Sequence, residues 1–347
     1  MTDPGRYDAI PKVELHCHLE GTVRPATVVD LARKHGVPLP TEDPTELYRY
    51  TSLGSFLEIF WLVQSLIGDR DDWARVARES VEDAAPHGLR YREAFFTPAR
   101  HLAAGQRLSE IVAGLTEGLD VVEADTGVRC ALLCDIDRSF GPGPALELVE
   151  ALVALRRSGA AERVIGIGMD STERGVDPAA FAPAYAAARR AGLRATGHAG
   201  EDTGPDNIRA ALDALALERV DHGIAVVEDD ALLARVAEER IPFNVCPSSN
   251  VVIANRYRSV AEHPLRRMRE AGMLITINTD DPAMTGADLG TEYREVAEQL
   301  GFTFDEMCAI AIEAVDATWL DPGERDALRR SFEDTVAQLG RAGNSPA

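Results

Sequence analysis

The strongest constraint on the fold is an alternation of short apolar runs with longer stretches whose apolar residues recur at helical spacing. Eight runs have the length and composition of strands: Lys12–His18, Leu89–Thr97, Val128–Asp135, Val164–Asp170, Leu193–His198, Arg219–Gly223, Ile241–Pro247 and Leu274–Asp280. The intervening helix-like stretches include Ala145–Arg157, Pro178–Ala191, Ile208–Leu217 and Asp229–Arg240. Strands that alternate with helices indicate parallel βα units, and eight units fit a closed barrel. We therefore predict an α/β fold, a (β/α)8 TIM-type barrel.

An open, doubly wound sheet is the competing fold for the same alternation. That fold usually carries a Gly-rich phosphate-binding turn after its first strand. Here the corresponding residues read His-Cys-His-Leu-Glu-Gly, from His16 to Gly21. The barrel is therefore the better prediction.

One connection is too long for a plain βα unit, because about 70 residues separate the first two predicted strands. Long insertions after barrel strands lie at the catalytic face. We predict a single metal-dependent domain over residues 1–340, a helical lid at about 22–87, and a disordered tail at 341–347. Phe56, Phe60 and Trp61 place large apolar groups on the lid, although a helix that simply packs on the barrel would also contain them.

The charge of the chain excludes several classes of partner. With 57 acidic and 36 basic residues the formal net charge is −21, and a protein this acidic repels nucleic acids and anionic membranes. We therefore expect neither partner. Five cysteines do not form a disulfide framework, and we find no signal peptide and no apolar run of about 18 residues. These features predict a cytoplasmic protein, with the oligomeric state left open.

The first chemical signal is His16-Cys17-His18, at the end of the first predicted strand. Side chains two residues apart on a strand share a face, so both imidazoles point the same way. A single strand histidine is usually a core residue, but a pair with this spacing is also typical of a site for zinc or a neighbouring transition metal.

Three further motifs stand at predicted strand ends, where barrel enzymes keep their catalytic groups. They are His198 with Glu201, His222, and the adjacent pair Asp280 and Asp281. Neighbouring carboxylates repel each other unless a cation or a proton lies between them, although a solvated turn would also explain Asp280-Asp281. The motifs account for four of the eight histidines.

The remaining histidines receive no chemical role. His35 and His87 precede glycines at predicted helix ends, where a partly charged ring suits the helix dipole. His101 and His263 lie in polar segments, and we predict that they are at the surface.

This inventory favours metal-assisted hydrolysis. Three imidazoles and one carboxylate can hold a single zinc-like ion and leave a position for water. A fourth histidine and a carboxylic acid can act as base and acid. The Gly-x-Ser-x-Gly elbow of serine hydrolases is absent from the sequence, and so is the Pro-Cys-x-x-Cys box of cytidine deaminases.

Taken together, the motifs resemble the adenosine deaminase family of amidohydrolase barrels. The resemblance covers nearly the whole chain, through the stretches Pro11–Gly21, His198–Glu201, Asp221–Gly223, Cys246–Asn250 and Asn278–Pro282. It implies one zinc ion per chain, bound by His16, His18, His198 and Asp280.

The resemblance also assigns the catalytic and substrate-binding residues. His222 would hold and deprotonate the attacking water, Glu201 would protonate the purine ring, and Asp281 would hydrogen-bond the imidazole-ring nitrogen of the purine. Other substrate contacts would come from Glu20, Gly168, Ser171, Phe56 and Phe60. The reaction implied is hydrolytic deamination of a 6-aminopurine, releasing ammonia.

Two departures from the family pattern leave the substrate open. Glu20 stands where adenosine deaminases usually have an aspartate that contacts the ribose, and Ser171 stands where they have a glycine. Both resemble the adenine deaminase branch, whereas Glu292-Tyr293 is more similar to the nucleoside enzymes. Adenosine, adenine and a modified adenosine therefore remain candidates.

Two other classes of function also remain. A different amidohydrolase reaction is possible, although the lysine that bridges dinuclear sites is not available, since Lys12 and Lys34 both lie near the N-terminus. An inactive purine-binding relative is the third alternative, although every polar group of the motifs is present.

Overall fold

Parallel strands form the centre of the molecule in the computed structural model, which describes residues 4–41, 43, 46–50 and 53–343. The strands are β1 (Lys12–Glu14), β2 (Leu89–Phe96), β3 (Arg129–Asp137), β4 (Val164–Asp170), β5 (Arg194–Ala195), β6 (His198–Ala199), β7 (Val220–His222), β8 (Phe243–Val245) and β9 (Ile275–Ile277). Each of the eight predicted strands is present, and the fifth is divided into β5 and β6.

The strands pair in chain order, β1 to β5 in one sheet and β6 to β9 in another. The two sheets meet where Glu218 N, two residues before β7, donates to Ala195 O in β5 at 2.9 Å. The last strand returns to the first, because His18 N donates to Asp280 O at 2.9 Å and Asp280 N donates to His16 O at 3.2 Å. These bonds close the sheets into the predicted barrel.

Helices surround the strands and follow them along the chain. They are α1 (Pro25–His35), α2 (Leu53–Leu66), α3 (Arg70–Ala84), α4 (Ala99–Ala103), α5 (Leu108–Thr126), α6 (Pro142–Arg157), α7 (Ala182–Arg190), α8 (Pro205–Leu215), α9 (Asp230–Glu238), α10 (Pro247–Val252), α11 (Leu265–Glu270), α12 (Pro282–Thr285), α13 (Leu289–Leu300), α14 (Phe304–Ala314) and α15 (Pro322–Gly343). No helix in these described ranges is long and apolar enough to cross a membrane.

Local sequence explains several helix boundaries. Asp69 and Asp72 form a capping box at the start of α3, and Thr303 and Glu306 form one at the start of α14. At the end of α1, Gly36 has the left-handed backbone (φ 68°) that favours glycine at this position.

The predicted insertion is helical, since α1, α2 and α3 all lie between β1 and β2. Closure of these helices over the barrel as a lid stays a prediction. At the other end, α15 continues to Gly343, so residues 341–343 of the expected tail are helical. Glycine within a helix costs only about 1 kcal/mol, which neighbouring residues can offset. Residues 344–347 lie outside the described residues.

Candidate active site

Four predicted metal ligands converge at the carboxyl-terminal rim of the barrel. Asp280 Oδ1 lies 3.0 Å from His16 Nε2 and 3.3 Å from His18 Nε2, and His18 Nε2 lies 3.4 Å from His198 Nε2. In a tetrahedral zinc site, bonds of about 2.0–2.1 Å place neighbouring ligand atoms about 3.3 Å apart. The spacing and the three-imidazole, one-carboxylate donor set therefore fit a zinc-like ion.

The strands bring these ligands together. His16 and His18 follow β1 on one face, His198 lies in β6, and Asp280 follows β9. The backbone of Asp280 has a φ of 65°, which a residue other than glycine rarely adopts. Such strain is typical of functional sites, where surrounding contacts over-determine the conformation.

A layer of polar groups behind the ligands orients them. Asp221 Oδ1 lies 3.2 Å from His16 Nδ1, and the same carboxylate accepts hydrogen bonds from Thr196 Oγ1 at 2.7 Å and Asn244 Nδ2 at 2.8 Å. Ser249 Oγ donates to Asp280 Oδ2 at 2.6 Å. Partners of this kind fix the ring orientation of a ligating histidine and raise its basicity.

Glu201 and His222 stand beside the ligand cluster. His222 Nε2 lies 3.7 Å from Glu201 Oε1 and 3.7 Å from Asp280 Oδ2. His222, the last residue of β7, has a φ of 56°, a left-handed conformation like that of Asp280. Both side chains face the space next to the ligand cluster.

The loop that carries Glu201 is held by one buried carboxylate. Glu173 accepts hydrogen bonds from Gly200 N at 2.7 Å, Glu201 N at 2.8 Å and Asp202 N at 3.2 Å. Burial raises the pKa of Glu201 well above its usual value, and the negative charges of Asp280 and Glu173 act in the same direction. A carboxyl group with a raised pKa is suited to act as a proton donor.

Two more carboxyl groups lie near the cluster. Burial, assisted by the charge of Asp280, raises the pKa of Asp281 well above its usual value. Burial also raises the pKa of Glu20 to about 7, although Glu20 Oε1 accepts a hydrogen bond from Thr97 N at 2.8 Å. Asp281 packs against Gly21, where a Cβ would lie 1.8 Å from Asp281 Oδ1. The close approach explains why this position is glycine.

A cavity opens from the cluster towards α2. The residues that line it are His18, Phe56, Leu57, Phe60, Trp61, Gln64, Thr97, Arg100, Asp137, Asp170, Ser171, Thr172, His198, Glu201, Asp202, His222, Ile253, Ala254, Asp280 and Asp281. Its lining on α2 is apolar except for Gln64, and its lining from the ends of β3 and β4 and the loop after β6 is acidic, through Asp137, Asp170 and Asp202. One cavity thus contains three of the predicted substrate-binding residues, Phe56, Phe60 and Ser171, together with Glu201 and Asp281.

Ser171 and Gly168 occupy unusual positions on β4 and the turn after it. Ser171 has a φ of 73°, the conformation that favours glycine, and this explains why the family pattern has glycine there. Gly168 packs behind the cavity, where a Cβ would lie 2.3 Å from Asp135 Oδ1 and 2.7 Å from the Phe95 ring. The absence of a side chain at Gly168 therefore allows Asp135 and Phe95 to pack against its backbone.

The surface positions predicted for His101 and His263 are wrong, because both side chains are buried. His101 packs edge-on against Trp73 at 4.7 Å, and Tyr257 packs edge-on against His263 at 5.4 Å. The polar residues around them in sequence concealed this burial. His35 and His87 lie at helix ends as predicted.

Sequence reasoning assigned no role to Asn250, which is buried and bonded to His222. It stands in the Cys246–Asn250 motif, which we used only as a mark of resemblance. Membership in this motif was the one feature of the sequence that indicated that Asn250 lies near the site.

Comparisons with known proteins agree with the fold and with the arrangement of the site residues. Residues 11–335 match the family model described as adenosine deaminase. An adenine deaminase from Streptomyces coelicolor is 37% identical over 327 residues, covering 92% of this chain and 94% of the relative.

Solved structures show the same architecture. The adenine deaminase of Arthrobacter aurescens is 33% identical, with a TM-score of 0.89 over 94% of this chain and 99% of that one. An amidohydrolase from Burkholderia ambifaria with bound Zn is 32% identical, with a TM-score of 0.90 over 98% of this chain and 96% of that one. The chain belongs to the adenosine deaminase family.

Proposed function

We propose that this protein catalyses the zinc-dependent hydrolytic deamination of a 6-aminopurine. The observation that carries the proposal is the convergence of His16, His18, His198 and Asp280 at zinc-ligand spacing, beside a carboxylic acid with a raised pKa. These four residues would hold one zinc ion, which supplies a hydroxide nucleophile at neutral pH by lowering the pKa of a bound water to about 7.

The side chains around the proposed zinc position have separate roles in proton transfer and in binding of the substrate. Glu201 donates its proton to the ring nitrogen next to C6, which makes C6 electrophilic, and Asp281 holds the imidazole-ring nitrogen of the purine. His222 holds the attacking water next to C6. Phe56 and Phe60 cover the apolar faces of the ring and exclude bulk water, which preserves the raised pKa of Glu201.

Within this reaction we propose free adenine as the preferred substrate. Glu20 and Asp170 each have a buried carboxylate oxygen without a hydrogen-bond partner, and both residues lie beside Thr97. Free adenine has an N–H where a nucleoside carries its sugar, so the base can donate to such an oxygen directly from its ring, whereas a nucleoside could reach it only with a ribose hydroxyl. The matching relatives named adenine deaminase support the same choice.

The charge of the cavity disfavours nucleotides. Three carboxyl groups line it, those of Asp137, Asp170 and Asp202, and a carboxylate at this wall repels a phosphate, although burial raises the pKa of Asp170 and weakens its part in this. The charge of Arg100 is partly offset, because its guanidinium lies 3.6 Å from Asp137 Oδ2 and 4.3 Å above the Trp61 ring.

The test is a substrate panel of adenine, adenosine, 2′-deoxyadenosine, AMP and N6-methyl-AMP, followed by ultraviolet absorbance and ammonia release. A site that hydrogen-bonds an N–H rejects analogues without it by about 10⁴-fold or more, so we expect at least about 100-fold higher kcat/KM for adenine. Faster turnover of adenosine would overturn the choice of base. If the zinc-loaded protein left every compound unchanged, the deaminase proposal itself would fail.

We further propose one catalytic domain over residues 1–340, with α1–α3 acting as the lid at about 22–87. Phe56 and Trp61 on α2 line the cavity mouth, which supports the lid role. A cytoplasmic location is also proposed, since all five cysteines are free and buried. The formal net charge of −21 supports a small-molecule partner over nucleic acid or membrane.

A further inference from the structure

A chain of hydrogen bonds connects His222 to a second buried histidine outside the cavity. His222 Nδ1 lies 3.0 Å from Asn250 Nδ2, and Asn250 Oδ1 lies 3.1 Å from His263 Nε2. Asn250 lies in α10, and His263 precedes α11 by two residues. All three side chains are at most 3% exposed, so water does not compete for these bonds.

A backbone group fixes the direction of every bond in this chain. Leu265 N donates to His263 Nδ1 at 3.1 Å, and a backbone N–H has no other role than donor. His263 Nδ1 must therefore be the acceptor, which leaves the proton of the neutral ring on Nε2. Burial lowers the pKa of His263 to about 3, so the ring is neutral under ordinary conditions.

The remaining assignments follow from this proton. Because His263 Nε2–H donates to Asn250, the atom it meets must be the amide oxygen, and the amide nitrogen must face His222. That nitrogen donates to His222 Nδ1. In neutral His222 the proton is then on Nε2, the atom that faces Glu201 and Asp280.

We propose that Asn250 and His263 are positioning residues that hold His222 in the Nε2–H tautomer. His222 then donates a hydrogen bond into the active site and offers no free lone pair there. This inference rests on the proposed deaminase function for its catalytic meaning, and it revises the role of proton acceptor that the family resemblance gave to His222.

The backbone at His222 is strained, so contacts of the side chain must hold the ring in its orientation and tautomer. His222 has a φ of 56° and the next residue, Gly223, has a φ of 63°, so the turn itself leaves little freedom to adjust the ring. The ring also lies beside the His16 and His198 rings, at centroid distances of 4.6 and 4.9 Å, and its Nε2 is 3.7 Å from Glu201 Oε1 and from Asp280 Oδ2, beyond hydrogen-bond distance. Asn250 thus supplies the hydrogen bond that selects the tautomer.

The direct test is NMR spectroscopy of the zinc-loaded protein with ¹⁵N-labelled histidine. Long-range ¹H–¹⁵N correlations distinguish the two neutral tautomers, and the His222 signals are assigned by their loss in His222→Gln. We expect the Nε2–H pattern for His222 and for His263. An Nδ1–H pattern at His222 would overturn the proposal. This readout needs no turnover, so it stands apart from the outcome of the substrate panel.

Three variants test the mechanism of support. His263→Leu removes the donor to Asn250, and we expect kcat to fall about 10- to 100-fold with KM within about threefold and zinc content unchanged. His263→Gln keeps an N–H donor and should recover most of kcat. Asn250→Asp places an acceptor against His222 Nδ1, so we expect the Nδ1–H pattern and a similar loss of kcat.

His101→Leu is the matched control, because His101 is also a buried histidine and contacts Trp73 and Gln106. We expect it to leave the His222 signals and the zinc content unchanged. Wild-type kcat in both His263→Leu and Asn250→Asp would overturn the positioning role. So would equal losses in His263→Leu and His263→Gln.

Discussion

Replacement of Asp221 measures how strongly a group that does not itself bind the metal controls metal affinity. Asp221 Oδ1 faces His16 Nδ1 at 3.2 Å and accepts from Asn244 at 2.8 Å, while Oδ2 accepts from Thr196 Oγ1 at 2.7 Å. Burial opposes ionisation of this carboxyl, but the contacts with His16, Asn244 and Thr196 hold its pKa below the usual value. A negative charge therefore stands behind a proposed zinc ligand.

Asp221→Asn removes that charge and can preserve every contact. The amide oxygen can take the place of Oδ1, and the amide nitrogen can donate to Thr196 Oγ1, whose own proton can turn to Arg219 O at 3.2 Å. A hydrogen bond to a charged group contributes about 1.5–3 kcal/mol and a neutral one about 1 kcal/mol. The loss of about 1–2 kcal/mol corresponds to zinc binding that is about 5- to 30-fold weaker.

Asp221→Ala should weaken zinc binding further, by about 100-fold, because the His16 ring also loses the group that orients it. The assay is competition for zinc with a chelator of known affinity at fixed pH and salt. Asp230→Asn is the control, since Asp230 pairs with Arg267 at the surface and its side chain is 89% exposed. If both Asp221 variants bound zinc within threefold of wild type, the orienting role of Asp221 would be refuted.

Three further predictions concern the acid, a close contact and a buried carboxyl. Glu201→Gln should retain zinc, measured by metal analysis, and lose at least about 100-fold in kcat, because an amide has no acidic proton to give. Gly21→Ala places a Cβ 1.8 Å from Asp281 Oδ1 and should lower kcat/KM about 100-fold, whereas Gly143→Ala, with open space around it, should not. Glu292 has its pKa raised by burial to about 7, above the usual 4.5, so it stabilises the fold at low pH and the contribution is lost as pH rises through 7. Urea unfolding should show that the free energy of unfolding of the wild type falls by about 2 kcal/mol relative to that of Glu292→Gln between pH 5.5 and 8.5. A difference in free energy that does not change with pH would contradict the raised pKa.

The strand order and the convergence of the candidate site residues were predictable from sequence because both depend on local pattern, whereas the choice of the four metal ligands came from the family resemblance. Parallel strands buried on both faces read as continuous apolar runs, and His16, His18, His198 and Asp280 all stand at the ends of such runs. In a barrel the carboxyl ends of all strands meet at one rim, so predicting the strands also predicts that these residues converge.

Contacts between distant segments could not be predicted in this way. His263 lies in a stretch of polar residues, and its burial comes from Asn250, Tyr257 and the turn into α11. The left-handed backbones at Ser171, His222 and Asp280 were equally hidden, because they are imposed by packing against the rest of the barrel.

The most direct test of the proposed chemistry is ammonia release from adenine by metal-stripped protein to which zinc is added in steps. The four-ligand cluster predicts activity that is absent without metal, rises linearly with added zinc and stops rising at one equivalent per chain. Full activity in the stripped protein, a break at two equivalents, or no ammonia at any zinc level would contradict it.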